Sequence, residues 1–223
     1  MARLLETGLD LLDAENPHGL PAIKGWNIIN GQLTEASDGG RFESRNPANK
    51  DDLLGNFPRS TKDDVHAALD AAHAALPGWS STPAPTRGQI IGNMARLLLD
   101  LKDDIVRLET REIGKTLKES GGEVQEAIDP CLFFQAEGRR LYGQTVHSEL
   151  PNKELSTYRR PLGVCAIINA SNFPAAVPFW KIIPALICGN TVVWKSPKDA
   201  PLLSFALAIS IDCLNMCGKL EII

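Results

Sequence analysis

The chain has 223 residues, 43% of them hydrophobic and 22% charged, with a formal net charge of −4. That length supports a domain with a sizeable core, and the acidic balance excludes a protein organised around a basic nucleic-acid-binding face. No apolar run approaches a membrane span and the N-terminus lacks the basic and long apolar regions of a signal peptide, so the composition predicts a cytoplasmic protein without membrane or nucleic-acid partners.

Residues 1–19 have the pattern of a short helix, ended by Asn16-Pro17-His18-Gly19. Trp26 to Ile29, Asn30-Gly31 and Gln32-Leu33 then read as strand, tight turn and strand, because Asn-Gly between apolar runs is a strong hairpin signal. Phe42 to Asn56 repeats a strand–turn–strand pattern around Asn46-Pro47-Ala48. A helix is predicted from Ser60 or Thr61, with Asp63 and Asp64 in the first turn where the dipole favours acids. Val65, Ala68, Leu69, Ala72 and Leu76 share one of its faces, and Pro77-Gly78 is expected to stop it. Its histidines, His66 and His73, are read as solvated rather than metal-binding.

Three more helices follow by periodicity. One opens after Pro85-Thr86 and carries Ile90, Ile91, Met94, Leu97, Leu98 and Leu101; the next runs from Asp103 through Ile105, Leu108 and Ile113 to Leu117. The last begins after Ser120-Gly121-Gly122 and carries Val124, Ala127, Ile128, Leu132, Phe133 and Ala136. Glu109, Glu112, Glu119, Glu123 and Glu126 in this region read as ordinary solvated helix charges. From Leu141 to Arg160 the pattern becomes extended, with a break at Pro151-Asn152. A two-stranded ribbon there is marginal alone and needs a partner sheet.

The segment from Tyr158 to Pro201 organises the rest. Gly163 to Asn169 is a short Val/Ile-rich run, as expected of a parallel strand buried on both faces. A kinked polar loop, Ala170-Ser171-Asn172-Phe173-Pro174, leads into a helical pattern from about Val177 to Cys188, closed by Gly189-Asn190 as a left-handed cap closes a helix. Thr191 to Trp194 is again a β-branched run. Together they form a βαβ unit, whose right-handed crossover places the loops at the carboxyl edge of the sheet, where α/β folds bind ligands.

This segment resembles the aldehyde dehydrogenase superfamily, through four words in order: Ala170-Ser171-Asn172-Phe173-Pro174, Lys181-Ile182-Ile183-Pro184-Ala185-Leu186, Gly189-Asn190-Thr191-Val192 and Lys195-Ser196-Pro197. The resemblance reaches back to roughly Gly25 and fades near the C-terminus. It implies an α/β fold in which N-terminal hairpins and helices pack on a partial, parallel, Rossmann-like sheet. It also implies an NAD(P)-dependent oxidoreductase that turns an aldehyde, with a lean to semialdehydes, into a carboxylic acid. On it, residues 1–223 are an incomplete cofactor-binding domain, and 141–160 is a projecting hairpin that pairs across the interface of a homodimer or tetramer. No GxGxxG fingerprint occurs, and this family does not use one.

The resemblance also assigns roles. Asn172 becomes the amide donor that stabilises an oxyanion as a thiol adds to the aldehyde carbonyl; by itself it would read as a turn cap. Ser171 shapes the cofactor channel, and Ala170-Ser171 departs from the usual Pro-Trp, so an indole contact is lost. Ile168 touches the cofactor through its backbone. Lys195 binds the adenosine ribose, with Ser196 as a further donor; a lysine at a strand end would otherwise read as solvent-facing. Many NAD-preferring relatives have Glu where this chain has Lys198, and a lysine attracts a 2′-phosphate that a carboxylate would repel. NADP is therefore favoured over NAD. Lys181 matches a helix lysine beside the active site, with a structural role as an equal alternative.

The family's reaction needs a cysteine nucleophile and a glutamate base, held in a Gly-Gln-x-Cys-like loop and a Glu-Leu-Gly-Gly-Lys-like strand that this sequence does not contain. Its cysteines, at 131, 165, 188, 213 and 217, form no CxxC pair and read as buried free thiols of a reducing compartment. The tail SIDCLNMCGKLEII leaves the family pattern, which predicts a chain truncated before the catalytic domain and inactive alone. A non-catalytic subunit that binds nucleotide weakly or pairs with intact relatives is the alternative. A sheet cut after two parallel strands is further expected to leave an open edge and an uncovered apolar face.

Overall fold

Asn30 and Gly31 both take the left-handed conformation, φ 53° and 68°, as a two-residue hairpin turn requires. They join β2 (Asn27–Ile29) to β3 (Gln32–Thr34). In the computed structural model, which describes residues 22–212 and 218–223, this hairpin is the flank of a five-stranded sheet. The order is β3-β2-β10-β9-β8, with β8 (Val164–Ile168), β9 (Thr191–Lys195) and β10 (Leu220–Ile222) parallel and β2 antiparallel to β10. A second sheet runs β1-β5-β4 from β1 (Ile23–Lys24), β4 (Arg41–Arg45) and β5 (Leu53–Pro58). The expected helix in residues 1–19, Cys213 and Cys217 lie outside the described residues.

The central strands alternate in what they face. Val193 packs with Ala68 and Ala72 of α1 (Lys62–Ser81), whereas Val192 and Trp194 join the cluster built by α5 (Ala176–Ile187) and α6 (Pro201–Asp212). The result is a sheet with helices on both faces, the α/β arrangement that the sequence pattern implies. Outside α5 lie α2 (Ala84–Asp100), α3 (Lys102–Ile113) and α4 (Leu117–Glu137).

Several boundaries differ from the sequence reading. The first helix continues through Pro77-Gly78 to Ser81. Its last turn is anchored from outside: Trp79, 2% exposed, donates its indole N–H to the Leu186 carbonyl at 3.0 Å, so the hydrogen bond lost at Pro77 does not decide the end. Gly114, left-handed at φ 80°, ends α3 at Ile113. The next helix starts at Leu117, because Thr116 and Glu119 form a capping box. It therefore runs straight through Ser120-Gly121-Gly122. Its inner face turns through Val124, Ala127, Ile128 and Cys131, leaving Leu132 and Phe133 46% and 60% exposed.

The expected open edge is filled on one side: β10 pairs with β9 through Leu220, Glu221 and Ile222 and passes the sheet on to β2. On the other side β8 is an edge, with Ala166 and Ile168 exposed, so it is not buried on both faces. Residues 201–211 of α6 are buried all round, under the two sheets and α3, so no apolar face of that helix is left bare. Of the three described cysteines, all unpaired, Cys131 is buried as expected, Cys165 is half-buried and Cys188 is exposed. The hairpin of β6 (Thr145–His147) and β7 (Glu154–Ser156) forms a separate two-stranded sheet, exposed throughout, with Val146, Leu150 and Leu155 each more than half exposed.

Candidate functional site

The βαβ unit fixes the site by register. Parallel pairing sets Ile167 opposite Trp194 and Ile168 opposite Lys195, so two strands end together and their loops leave from one edge. Asn190, just beyond the left-handed Gly189 (φ 88°), ties the other end: its side-chain oxygen accepts the N–H groups of Leu162 and Gly163 at 2.6 and 2.9 Å. At the ligand edge, buried Trp194 donates its indole N–H to the Asn169 side-chain oxygen at 2.7 Å, and the Asn169 amide donates to the Ala170 carbonyl at 2.9 Å. Asn169 therefore anchors the start of the 170–174 loop. Sequence alone does not single it out, since an Asn at a strand end has no distinguishing pattern until its partner is known.

Beyond this anchor Ser171 is half-buried and Asn172 exposed. The Asn172 amide makes no hydrogen bond among the described residues, which leaves its N–H groups free for a ligand. Ile168, 67% exposed, offers its backbone at the same edge, but its carbonyl accepts the Lys181 ammonium at 3.0 Å. Lys181 thus closes the end of β8.

After β9 the chain enters a cavity of about 660 Å3. Lys195, Ser196 and Lys198 line it together with Arg59, just after β5, and Lys62, the first residue of α1, over an apolar floor that includes Trp26, Phe205 and Ile222. Four cationic side chains and no acidic one line this space, and no ion pair engages any of the four among the described residues. Such a cavity raises the local concentration of anions. The Lys195 ammonium donates to the Ser196 carbonyl at 2.7 Å, and the Ser196 hydroxyl lies 3.5 Å from the Ile223 carbonyl. Lys195, Ser196 and Lys198 are thus brought together as the sequence grouped them. Ile168, Ser171 and Asn172 lie outside the cavity, at the end of the neighbouring strand.

Three carboxylates read as surface charges are in fact buried. Glu112, 3% exposed, accepts the N–H groups of Leu202 and Leu203 at 2.9 and 2.7 Å and the Ser44 hydroxyl at 2.9 Å. It caps α6 from another helix. Burial outweighs these donors and pushes Glu112 up to about 7. Glu123 caps α5 in the same manner, accepting Ala175 and Ala176 N–H at 2.8 and 3.2 Å. Glu109 is fully buried beside it. A signal was available: Ile105, Leu108, Glu109 and Glu112 fall at i, i+3, i+4 and i+7, one helical stripe. Glu119 and Glu126 are exposed, as expected.

Among the described residues no group of His, Cys, Asp and Glu could hold a metal ion. No described helix is long and apolar enough to cross a membrane.

Comparison with known proteins gives concordant matches. The aldehyde dehydrogenase family matches residues 33–213. An alpha-ketoglutarate semialdehyde dehydrogenase of Haloferax volcanii is 39% identical over 186 residues, 83% of this chain and 39% of that protein. The NADP(+) succinate-semialdehyde dehydrogenase of Escherichia coli is 40% identical over 181 residues, 81% of this chain and 37% of that protein. Among solved structures, an E. coli NADP dependent enzyme superposes with a TM-score of 0.85 at 36% identity, over 90% of this chain and 42% of that one. An aldehyde dehydrogenase of Brucella melitensis biovar abortus gives 0.87 at 33% identity over the same shares. The chain spans about two fifths of the length of the curated relatives it matches.

Proposed function

This chain belongs to the aldehyde dehydrogenase family, and from that premise we propose that it contributes the nucleotide-binding part of an NAD(P)-dependent oxidoreductase that converts an aldehyde to a carboxylic acid. The observation that carries this reading is the cation-lined cavity at the end of β9, where Lys195, Ser196 and Lys198 meet Arg59 and Lys62. Its volume of about 660 Å3 lies in the range of small-molecule sites, and its charge fits a phosphate-bearing nucleotide. Lys195 and Ser196 would hold the ribose, and Lys198 the 2′-phosphate, with NADP preferred over NAD. The cofactor, when bound, supplies the hydride acceptor.

The chain's own contribution to the chemistry is Asn172. Its unengaged amide is a donor for the oxygen that gains negative charge as the aldehyde carbonyl is attacked, and the loop that carries it is anchored at both ends, by Asn169 and by the Glu123 cap. Ile168 and Ser171 would border the cofactor beside it. The attacking thiol and the general base are proposed to come from outside residues 1–223. Cys131 is fully buried and its thiol is pushed up to about 12, burial also raises Cys165, and a thiol held protonated is a poor nucleophile.

Semialdehydes are the proposed substrate class, on the strength of relatives named for them. The exposed apolar residues of the β6–β7 hairpin support a homo-oligomer in which the ribbon gains a partner sheet. The unpaired cysteines at 131, 165 and 188 accord with a cytoplasmic setting.

Calorimetric titration of the chain with NADP+ and with NAD+ tests the reading. Saturable binding, several-fold tighter for NADP+, is expected, without turnover of added aldehyde. Absence of binding of either nucleotide would overturn the nucleotide site, and tighter binding of NAD+ would overturn the preference.

A further inference from the structure

Beneath the loop that carries Asn172 lies a group of charges that the reaction does not use. Glu123 of α4 accepts Ala175 and Ala176 N–H, where the loop enters α5. Its other oxygen binds the Lys115 ammonium. Lys115 also reaches Glu109 of α3, at 3.3 Å, and rests over the Phe173 ring, 4.3 Å from its centroid. Phe173 is the residue next to Asn172. Helix α4, the α3–α4 connection, the loop and α5 thus meet at one ammonium and one carboxylate.

The two carboxyls are not equivalent. Glu123 receives two backbone N–H groups and an ammonium. Glu109 is fully buried and takes no backbone N–H; its nearest donor is the Lys115 ammonium at 3.3 Å, and the charged neighbours that act on it are Glu123 and Lys115, with Glu119 also close to Lys115. Two buried carboxylates against one ammonium would leave a net negative charge out of water, a costly state. A proton on Glu109 removes that charge and can be donated to Glu123. Burial and the neighbouring Glu123 both raise Glu109, in agreement.

We infer that Glu109, Lys115 and Glu123 form a protonation-dependent clamp that positions the Asn172 loop. With Glu109 protonated, Lys115 is shared between Glu123 and the Phe173 ring, and the loop is held as observed. When Glu109 ionises, a second carboxylate competes for Lys115, draws it inward and weakens the contact with Phe173 and the cap on α5. These are positioning residues: they act on the oxyanion donor through the loop. The inference touches the functional reading only through Asn172, and its test uses neither cofactor nor aldehyde.

The test is an NMR titration of the 223-residue chain between about pH 5 and 10, following the Ala175 and Ala176 amides and the Phe173 ring protons. All three should move together with one apparent midpoint, well above the ordinary glutamate value of about 4.3. Glu109→Gln, which mimics the protonated carboxyl, should abolish the transition and keep the low-pH resonances. The wild-type titration is decisive even if that variant folds poorly. Resonances that stay fixed across the range would overturn the clamp. So would the same transition persisting in Glu109→Gln, which would assign it to a group other than Glu109.

Discussion

Ile168 and Lys195 are register partners at the carboxyl ends of β8 and β9. This pairing sets the Asn172 loop and the cation-lined cavity side by side, although 26 residues separate the two strand ends by number and the crossover helix lies between them.

Lys198 should decide between the two cofactors. It is exposed and lines the cavity, among whose lining residues there is no acidic side chain. Lys198→Glu replaces attraction of a 2′-phosphate by repulsion, so NADP+ binding should weaken about tenfold while NAD+ binding changes less than about twofold. The difference should shrink as salt is raised. Calorimetry of both nucleotides at two ionic strengths checks this, and equal losses for both would place Lys198 away from the phosphate.

Glu112 should be a stability residue. Removing it leaves the buried Leu202 and Leu203 amides and the Ser44 hydroxyl without their acceptor. Glu112→Ala is expected to cost about 2–4 kcal/mol, whereas exposed Glu126→Ala should stay within about 0.5 kcal/mol. Urea denaturation of both variants measures the contrast; a loss below about 1 kcal/mol for Glu112→Ala would show that water replaces the carboxylate.

Stability should fall as pH rises from about 4.5 to 7. Glu112 and Glu221 are each buried and pushed up to about 7 from 4.5, so across that window the folded state holds protons that the unfolded chain has released. Each group then contributes a loss on the order of 3 kcal/mol that is complete above pH 7. Glu221 has one oxygen on the Asn30 N–H at 2.6 Å and the other without a partner. Denaturation midpoints at pH 5 and pH 8 should therefore differ less in Glu221→Gln than in the wild type. An unchanged difference would remove Glu221 from the account.

Two glycines should respond oppositely to alanine. Gly189 has φ 88°, and a Cβ there would stand 3.3 Å from the Arg87 guanidinium, which is itself fixed by a 2.9 Å hydrogen bond to the Ile187 carbonyl. Gly189→Ala should cost about 1–2 kcal/mol. Gly121 sits within α4 with open space at its Cβ, so Gly121→Ala should stabilise by roughly 0.5–1 kcal/mol. Thermal melts compare them, and a stabilised Gly189→Ala would contradict the strained cap.

Local rules were sufficient for much of this protein. The Asn30-Gly31 hairpin, the start of α1 at Thr61, the βαβ unit and the Gly189-Asn190 cap all follow from residue type and spacing, because each is settled within a few residues of chain. The grouping of Lys195, Ser196 and Lys198 at one edge follows from the same unit. Tertiary structure decided the rest. Trp79 carries α1 past Pro77 because its indole finds the Leu186 carbonyl, 107 residues on. Leu220 to Ile222 become a strand because β9 and β2 each leave a row of backbone groups to be paired. Glu109, Glu112 and Glu123 are buried because their partners are helix ends and an ammonium brought in by folding. A carboxylate's spacing shows the face it occupies; whether that face meets water or an unsatisfied N–H is settled only when distant segments pack.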